Sequence, residues 1–545
     1  MINLEHALRD KRILIVDDLV EARSSLKKML TILGASQPDT ATDGREAIEF
    51  IMDRDYDIVL SDYNLGKGKD GQQILEEARY ANRLRASALF ILVTGENALD
   101  MVMGALEYEP DNYITKPFTL NMLRERLIRI MTIKEQLQPV DEAIDARDNM
   151  LAISRAESLL GKNKKLLLPL TRSLGKLYIR EKRYQDALDI YSSLLNNRSI
   201  SWARLGQAIC IHYLGDSKSA LALIDQTLIA HPLYVQCYDW SARILRSLGR
   251  NEEAQKQLQK AVTISPKAVL RQMELGRIAY ENGDFPVAEA AFEQAMKLGR
   301  HSCYKSSKNY LQFAQCARQL LKPGDSREQR ARADRAFKAI EELRQDYAGQ
   351  RAVMFETCIV EGKTYGVLKN EDKARASANR AEELLAQMPN ATSEHKLQMT
   401  EAFIDTSQHV KAKKLIKKLR AEGLENDGIE KLQLLEDSLN RVAIREYTAE
   451  LNDRGVRHYE KSEYVEAVKV FDEAASYEEA GISVLLNAIQ AKISLIENTQ
   501  VDVSHLKDCH RYFQRIGPMG DQDERFERYE RLRNSFSRLK RAAGF

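Results

Sequence analysis

Short apolar runs alternate with helical patterns over the first 133 residues of the chain. Runs such as ILIV, which follows Arg12, and LFILV are apolar at every position, whereas ARSSLKKMLTIL and GREAIEFIMD repeat apolar residues every three to four positions. A strand that is apolar on both faces is covered on both faces, and the helical period marks the elements that cover it. The alternation therefore predicts an α/β doubly wound fold with a parallel sheet.

Polar side chains follow the apolar runs at the point where each predicted strand ends. Asp17 and Asp18 follow the first run, Asp62 ends YDIVLSD, Thr94 follows LFILV, and Lys116 follows NYIT. The carboxyl ends of parallel strands meet at one edge of the sheet, where open α/β sheets bind ligands. We therefore expect three carboxylates, a hydroxyl and an ammonium group in one crevice.

This set of groups predicts a chemistry. Three carboxylates match the oxygen ligands that Mg²⁺ prefers, and the metal would screen an incoming phosphate from their charge. Lys116 and Thr94 would hold phosphoryl oxygens, and Asp62 is the natural nucleophile because an aspartyl carboxylate forms an acyl phosphate. The alternatives are that the carboxylates only cap strand ends, or that the site no longer accepts phosphate.

Residues 12–131 resemble the receiver domain of two-component response regulators, on the strength of these separated motifs. The resemblance implies a five-stranded, flavodoxin-like parallel sheet with Asp62 as the phosphoacceptor. It implies that Asp18 binds the metal directly with Asp17 beside it, and that Asn64 contributes its backbone carbonyl.

The same resemblance assigns switch residues around the phosphoacceptor. Thr94 matches the hydroxyl that shifts toward the phosphoryl group, and Lys116, before Pro117, matches the lysine that contacts it. Tyr113 matches the aromatic residue that changes burial on activation. Glu96 matches the position that tunes access to the site and dephosphorylation.

Beyond about residue 134 the chain has helical periodicity and an internal repeat. Small residues recur at intervals of about 34, a second small residue follows each after 12 positions, and a bulky residue follows four positions later. Pairs of short helices that cross closely at the small positions explain this period. The pattern resembles tetratricopeptide repeats, which implies an all-α superhelical solenoid. The three sets are Gly175, Ala208, Ala242 and Gly276; Ala187, Ala220, Ala254 and Ala288; and Tyr191, Ile224, Leu258 and Phe292.

The pattern divides the chain into six segments, with a break expected at Pro139. A later repeat is marked by Gly455, Ala467 and Phe471, and the charged C-terminal stretch predicts a capping helix. The segments are 1–133 (receiver domain), 134–150 (linker and a first helix), 151–302 (regular repeats), 303–445 (degenerate helical hairpins), 446–520 (repeats) and 521–545 (cap).

The first helices of a solenoid line its concave surface. Indexing the regular repeats places a mostly cationic set of side chains there, which predicts a groove for an acidic peptide or helix. The alternative is that these are ordinary solvated charges. The groove residues are Arg172, Lys176, His212, Asp239, Arg243, Arg246, Arg277 and Tyr280.

Composition narrows the functional class. The 545 residues carry a net charge of +2, which gives no overall attraction to nucleic acid or membrane. Six cysteines occur without a CxxC pair, as in proteins of a reducing compartment, and no apolar run is long enough to span a bilayer. We expect a cytoplasmic protein without membrane insertion.

The chain shows no helix-turn-helix, Walker loop or nucleophile-elbow motif. An enzyme within residues 303–545 and a nucleic-acid-binding role are therefore disfavoured. We expect a phosphorelay adaptor that is not an enzyme beyond Mg²⁺-dependent self-catalysed phosphotransfer. A sensor histidine kinase or phosphotransfer protein would phosphorylate Asp62, and the repeats would bind a protein partner. The alternative is a phosphate sink or inhibitor that grips the kinase through its repeats.

Overall fold

One parallel sheet of five strands organises the first part of the chain in the computed structural model, which describes residues 3–95, 110–196, 199–322, 326–499 and 502–544. The spatial order is β2-β1-β3-β4-β5, so the chain reverses direction of winding at β1, as predicted for a doubly wound fold. Strand β2 carries no apolar run of its own, since its sequence is DTA. The strands are β1 (Ile13–Val16), β2 (Asp39–Ala41), β3 (Ile58–Asp62), β4 (Leu89–Thr94) and β5 (Asn112–Thr115).

Helices cover both faces of this sheet because the central strands β1, β3 and β4 are apolar on both sides. In β1, Ile13 and Ile15 enter one core with α2 and α5, while Leu14 and Val16 enter the other with α3 and α4. All four side chains are essentially inaccessible to solvent. The helices are α1 (Leu4–Arg9), α2 (Val20–Ile32), α3 (Gly44–Asp53), α4 (Gly71–Tyr80) and α5 (Leu120–Asp145).

The expected break at Pro139 is wrong. Helix α5 runs from Leu120 to Asp145 with Pro139 inside it. A proline in a helix interior loses one backbone hydrogen bond and costs about 3 kcal/mol, but packing can outweigh that cost. Val140 is buried in the first core of the repeats, which holds the second half of the helix in line with the first.

Residues 1–348 form one compact unit, and residues 349–545 form another. In the first unit, paired helices follow α5 through to residue 347. Among the described residues, no helix combines the length and the apolar character needed to cross a bilayer. The helices are α6 (Asn149–Leu159), α7 (Leu167–Arg180), α8 (Tyr184–Leu195), α9 (Ser201–Tyr213), α10 (Ser217–Ala230), α11 (Val235–Ser247), α12 (Asn251–Ile264), α13 (Val269–Glu281), α14 (Phe285–Gly299), α15 (Ser307–Leu320) and α16 (Arg327–Tyr347).

Small and bulky positions of the repeat fit together as close helix crossings. A Cβ atom on Gly175 would lie 2.1 Å from the Tyr191 hydroxyl, and one on Gly276 would lie 2.9 Å from the Phe292 ring. The Tyr191 ring also leaves only 2.5 Å for a Cβ on Gly206, in the next helix pair. The bulky ring therefore closes its own pair and contacts the following one, which explains the 34-residue period.

The second unit is also built of paired helices, and its last helix buries an apolar stripe. Tyr529, Leu532 and Phe536 of α25 enter the core of the last repeat, so the expected capping helix is present. The helices are α17 (Arg351–Val367), α18 (Glu371–Ala386), α19 (Ser393–Asp405), α20 (His409–Glu422), α21 (Asn426–Glu460), α22 (Tyr464–Ser476), α23 (Ile482–Asn498), α24 (Val503–Ile516) and α25 (Phe526–Ala542).

A buried lysine lies inside the second unit. Lys492 is inaccessible to solvent, and its Nζ donates to Asp472 Oδ2 at 2.6 Å and to Asp508 Oδ2 at 3.0 Å. Tyr512 donates its hydroxyl to the other oxygen of Asp472 at 2.8 Å. A buried charge is tolerated only when it is paired and hydrogen-bonded, as this one is.

Candidate functional site

The ends of β1, β3 and β5 bring an acidic cluster and a lysine together, as the strand pattern predicts. Asp17, Asp18 and Asp62 each place a carboxylate oxygen within 4.8 Å of the others. Lys116 Nζ donates to Asp17 Oδ2 at 2.7 Å and to Asp62 Oδ2 at 2.9 Å. One ammonium group therefore bridges the predicted phosphoacceptor and its acidic neighbour.

Burial dominates the electrostatics of this cluster. The Asp62 side chain is 12% exposed, and burial raises its pKa above the ordinary value, with the nearby Asp17 charge adding to the effect against the opposing contribution of Lys116. The pKa of Lys116 is raised: burial opposes the rise, but hydrogen bonds to Asp17 and Asp62 outweigh it. The hydrogen bond and the positive charge of Lys116 favour the ionised form of Asp62, against the effect of its burial.

The predicted switch residues lie on the next two strands. Thr94 ends β4, and its carbonyl accepts a hydrogen bond from the Lys116 N–H at 2.7 Å. The Tyr113 hydroxyl is buried and has no hydrogen-bond partner among the described residues, and burial raises its pKa. Asn64 is exposed in the loop after β3, and Glu96 lies outside the described residues.

The donor set fits a hard divalent cation. Three carboxylates converge, and that of Asp18 is exposed to solvent. Gly66 lies beside Asp18 and has no side chain that could block this carboxylate. Mg²⁺ takes oxygen ligands, keeps several water molecules and binds through a small number of carboxylates, so one exposed and two sheltered carboxylates suit it.

The predicted cationic groove is closer to neutral than its eight residues suggest. Arg246 contacts Glu274 at 3.3 Å and Glu281 at 3.2 Å, and Arg277 donates twice to Glu274. Glu274, Arg277 and Glu281 share one face of α13 by their spacing of three and four, so helical indexing alone would have found these two carboxylates. The acidic-peptide groove stays a prediction, with a lower positive charge.

Other groove residues have partners within the repeats. The groove residue Asp239 accepts hydrogen bonds on both oxygens, at 2.8 and 2.7 Å, from Arg271, which is 4% exposed. The Arg243 guanidinium lies 5.1 Å from the centre of the Trp240 ring. His212 shares a hydrogen bond with a serine five residues on, burial lowers its pKa, and Tyr280 packs edge-on against Phe285.

The first two groove residues face the sheet domain. Arg172 and Lys176 line a cleft of about 790 Å³ together with Asn112 of β5 and Arg129 of α5. Arg172 also lies over the Trp202 ring, at 5.5 Å. This end of the groove is therefore shared between the repeats and the sheet domain, an arrangement that periodicity within the repeats does not reveal.

Family models match both the sheet domain and the helical repeats. Residues 13–128 match the family model described as "response regulator receiver domain", and residues 235–267 match that of the tetratricopeptide repeat. The chemotaxis protein CheY-3 of Vibrio cholerae is 31% identical over 122 residues, which cover 92% of that protein and 22% of this chain.

Two solved structures are similar to parts of this chain. A CheY-like receiver domain from Methanospirillum hungatei is 30% identical, with a TM-score of 0.21, and the match covers 23% of this chain and 96% of that one. A tetratricopeptide repeat protein from Parabacteroides merdae is 16% identical, with a TM-score of 0.29, covering 50% of this chain and 99% of that one.

Proposed function

The chain belongs to the response regulator receiver family, and on that premise we propose that it is a phosphorylation-controlled adaptor. Asp62 accepts a phosphoryl group from a sensor histidine kinase or phosphotransfer protein, and the repeats bind a protein partner according to the state of Asp62. The observation that supports the proposal is the contact of Lys116 with both Asp62 and Asp17 in a three-carboxylate cluster.

The chemistry follows from the positions of these side chains. An oxygen of the Asp62 carboxylate attacks phosphorus, the new P–O bond forms as the bond to the donor's nitrogen breaks, and the donor keeps that electron pair. Lys116 neutralises charge on the phosphoryl oxygens, and the Thr94 hydroxyl donates to one of them. Asp17, Asp18, Asp62 and the backbone carbonyl of Asn64 would hold Mg²⁺, which supplies the positive charge that screens these carboxylates from the phosphoryl group.

The switch lies on adjacent strands. When Thr94 turns toward the phosphoryl group it vacates space beside β5, where the half-buried Tyr113 ring can move inward. The backbone hydrogen bond from Lys116 to the Thr94 carbonyl ties these two strand ends together. The affected surface includes Asn112, which lines the cleft shared with the first repeats.

The cellular setting proposed is the cytoplasm. All six cysteines are free thiols, and five of them are buried. Burial raises the pKa of Cys210 and of Cys237 to about 12, so these thiols are inert packing groups. Free thiols of this kind suit a reducing compartment.

The test of the phosphoacceptor is Asp62→Asn, with Asp55→Asn as the matched control. Asp55 is an exposed carboxylate seven residues earlier. Incubation with acetyl phosphate and Mg²⁺ is expected to place a hydroxylamine-labile phosphoryl group on the wild type and the control, and none on the Asp62 variant. Equal labelling of the Asp62 variant would refute the assignment.

A competition assay and a binding assay together separate the adaptor from a phosphate sink. A kinase, a second receiver and this chain are mixed, and phosphorylation of the second receiver is followed. A sink lowers that phosphorylation, and Asp62→Asn abolishes the effect. An adaptor also accepts phosphoryl groups on Asp62, so the deciding measurement is its affinity for the repeat partner. This affinity changes with the phosphorylation of Asp62 for an adaptor and stays constant for a sink.

A further inference from the structure

Helix α4, which follows the phosphoacceptor strand, packs against the end of the last regular repeat pair. Gln73 Nε2 donates to the carbonyl of Leu298, in the last turn of α14, at 3.3 Å. Ser302 donates its hydroxyl to Glu76 Oε2 at 3.2 Å, and these two residues are 6% and 5% exposed. A carboxylate is buried in this way only where its hydrogen bonds are specific, so the two elements fit one another.

Aromatic packing and electrostatics extend the contact. The rings of Tyr80 and Tyr304 meet edge to face, with centroids 5.6 Å apart. Burial raises the pKa of Cys303 to about 11 and that of Tyr304 to about 12, and the negative charge of Glu76 contributes in both cases. The carboxylate of Glu76 on α4 therefore interacts electrostatically with residues of the loop that follows α14.

A lysine of the repeats reaches the residue next to the phosphoacceptor. Lys267, in the turn between α12 and α13, places its Nζ 5.8 Å from the centre of the Tyr63 ring. Tyr63 follows Asp62 directly and is 4% exposed. Burial raises the pKa of Asp70, the N-cap of α4, and the positive charge of Lys267 opposes that rise.

Gly71, the first residue of α4, packs tightly against the backbone of the phosphoacceptor strand. A Cβ atom on Gly71 would lie 2.2 Å from the Asp62 carbonyl oxygen, and the Gly71 N–H donates to the Tyr63 carbonyl at 2.9 Å. Close-packed contacts transmit displacement instead of absorbing it. Any movement of the backbone at Asp62 therefore moves the first turn of α4.

We propose that the α4 interface, formed by Tyr63 and α4 on one side and by Lys267 and residues 298–304 on the other, reads the phosphorylation state of Asp62. The interface is closed in the unphosphorylated chain and opens when Asp62 carries a phosphoryl group. This inference rests on the proposed function and adds the surface through which the repeats respond to the receiver.

The direction follows from the geometry. The two interdomain hydrogen bonds, at 3.3 and 3.2 Å, are at the long end of the useful range, so a small displacement of α4 removes both. Gly71 packs against the backbone carbonyl of Asp62, so a backbone shift at Asp62 that accompanies phosphorylation displaces the first turn of α4. By thermodynamic reciprocity, an interface that phosphorylation opens also opposes phosphorylation while it is closed.

The experiment uses the full chain and hydrogen exchange measured by mass spectrometry. Residues 71–80 and 298–305 are expected to exchange slowly in the untreated protein and faster after treatment with beryllofluoride and Mg²⁺. Residues 526–542 serve as the internal reference and are expected not to change. Unchanged exchange at α4 in a wild type that carries the phosphoryl analogue would overturn the inference.

The charge reversal Lys267→Glu tests the interface without phosphate. It is expected to raise exchange in residues 71–80 in the untreated protein and to tighten the binding of beryllofluoride at Asp62 about 5-fold, at the low end of allosteric couplings. Lys260→Glu makes the same change at an exposed lysine within α12 and is expected to alter neither quantity. Since Lys267 is exposed, the variant is expected to fold, and circular dichroism verifies this.

The outcomes separate the two proposals. If the wild type is labelled at Asp62 but Lys267→Glu and Lys260→Glu behave alike, the α4 interface is not the reader, and the phosphoacceptor assignment still holds. If no phosphoryl group forms on Asp62 under any condition, both proposals fall together. The paired substitutions Gln73→Ala and Ser302→Ala are expected to reproduce the effect of Lys267→Glu, and failure to do so also overturns the inference.

Discussion

The buried Lys492 of the second unit allows a sharp test of how this protein tolerates charge in its interior. Replacing Lys492 with Met leaves Asp472 without a cation in hydrogen-bonding range among the described residues, while Asp508 keeps its hydrogen bond from Arg511 at 2.9 Å. Breaking a buried ion pair on one side typically costs 3–5 kcal/mol. The two carboxylates are 35% and 29% exposed, so water takes over part of their solvation. We therefore expect a loss of about 2–3 kcal/mol.

The complementary variant removes all the charges together. Lys492→Met combined with Asp472→Asn and Asp508→Asn removes all three charges of the buried network, and only Arg511, whose side chain is 63% exposed, loses its ion-pair partner. The Tyr512 hydroxyl keeps an amide oxygen as its acceptor. Replacing a complete buried ion network by groups of similar volume is often close to neutral. This triple variant is therefore expected to lie within about 1 kcal/mol of the wild type. The exposed Lys507→Met, on α24, is the control and is expected to change stability by less than about 0.5 kcal/mol.

Hydrogen exchange of the α23 amides gives the opening free energy of this region directly. Tryptophan fluorescence provides an internal reference, because the only two tryptophans, Trp202 and Trp240, lie in the first unit. Their denaturation midpoint is expected to stay constant across the series. The reasoning fails if Lys492→Met matches the wild type, or if the triple variant is no more stable than the single one.

Two further predictions concern the first unit and its packing. Burial raises the pKa of Asp141 to about 6, so the folded state holds a proton that the unfolded state releases near pH 4, and stability falls as pH rises through that window. The unfolding free energy of Asp141→Asn relative to wild type is expected to rise by roughly 2–3 kcal/mol between pH 4 and pH 7; a flat difference contradicts this. Gly276→Ala, which forces a Cβ against Phe292, is expected to lower the free energy of unfolding by about 1–3 kcal/mol, whereas Gly366→Ala, with open space around it, is expected to be neutral or stabilising. Equal effects of the two alanines would rule out the steric account.

The sequence predicts that Asp17, Asp62 and Lys116 lie close together, because the sheet topology determines where their strands end. Once the apolar runs are taken as parallel strands, Asp17, Asp62 and Lys116 must end at the same edge of the sheet. The helical repeat can also be predicted from the sequence, because Gly175 and Tyr191 are 16 positions apart and other repeats share this spacing. Both signals arise from short-range patterns repeated along the chain.

Contacts between distant segments carry no such signal. Glu76 and Ser302 are separated by 226 positions, and neither residue belongs to a motif. Lys267 lies in an ordinary turn, and only the fold brings it to Tyr63. The path of α5 through Pro139 is likewise decided by tertiary packing, which outweighs the local preference of proline for a helix end.

A single helix belongs to both the receiver and the repeats, which affects how the chain can be divided. With 26 residues, α5 is about 39 Å long, and Leu127 sits in the core of the sheet domain while Val140 sits in the core of the repeats. At its far end, Asp145 accepts a hydrogen bond from the Ala86 N–H at 2.5 Å, in the loop before β4. Truncating the protein after residue 133 would end the chain within α5 and remove the Asp145 carboxylate, which hydrogen-bonds to the sheet domain. Because α5 is one continuous helix, a rotation of its first half also rotates its second half. An isolated receiver must therefore include all of α5 if it is to behave as it does in the full chain.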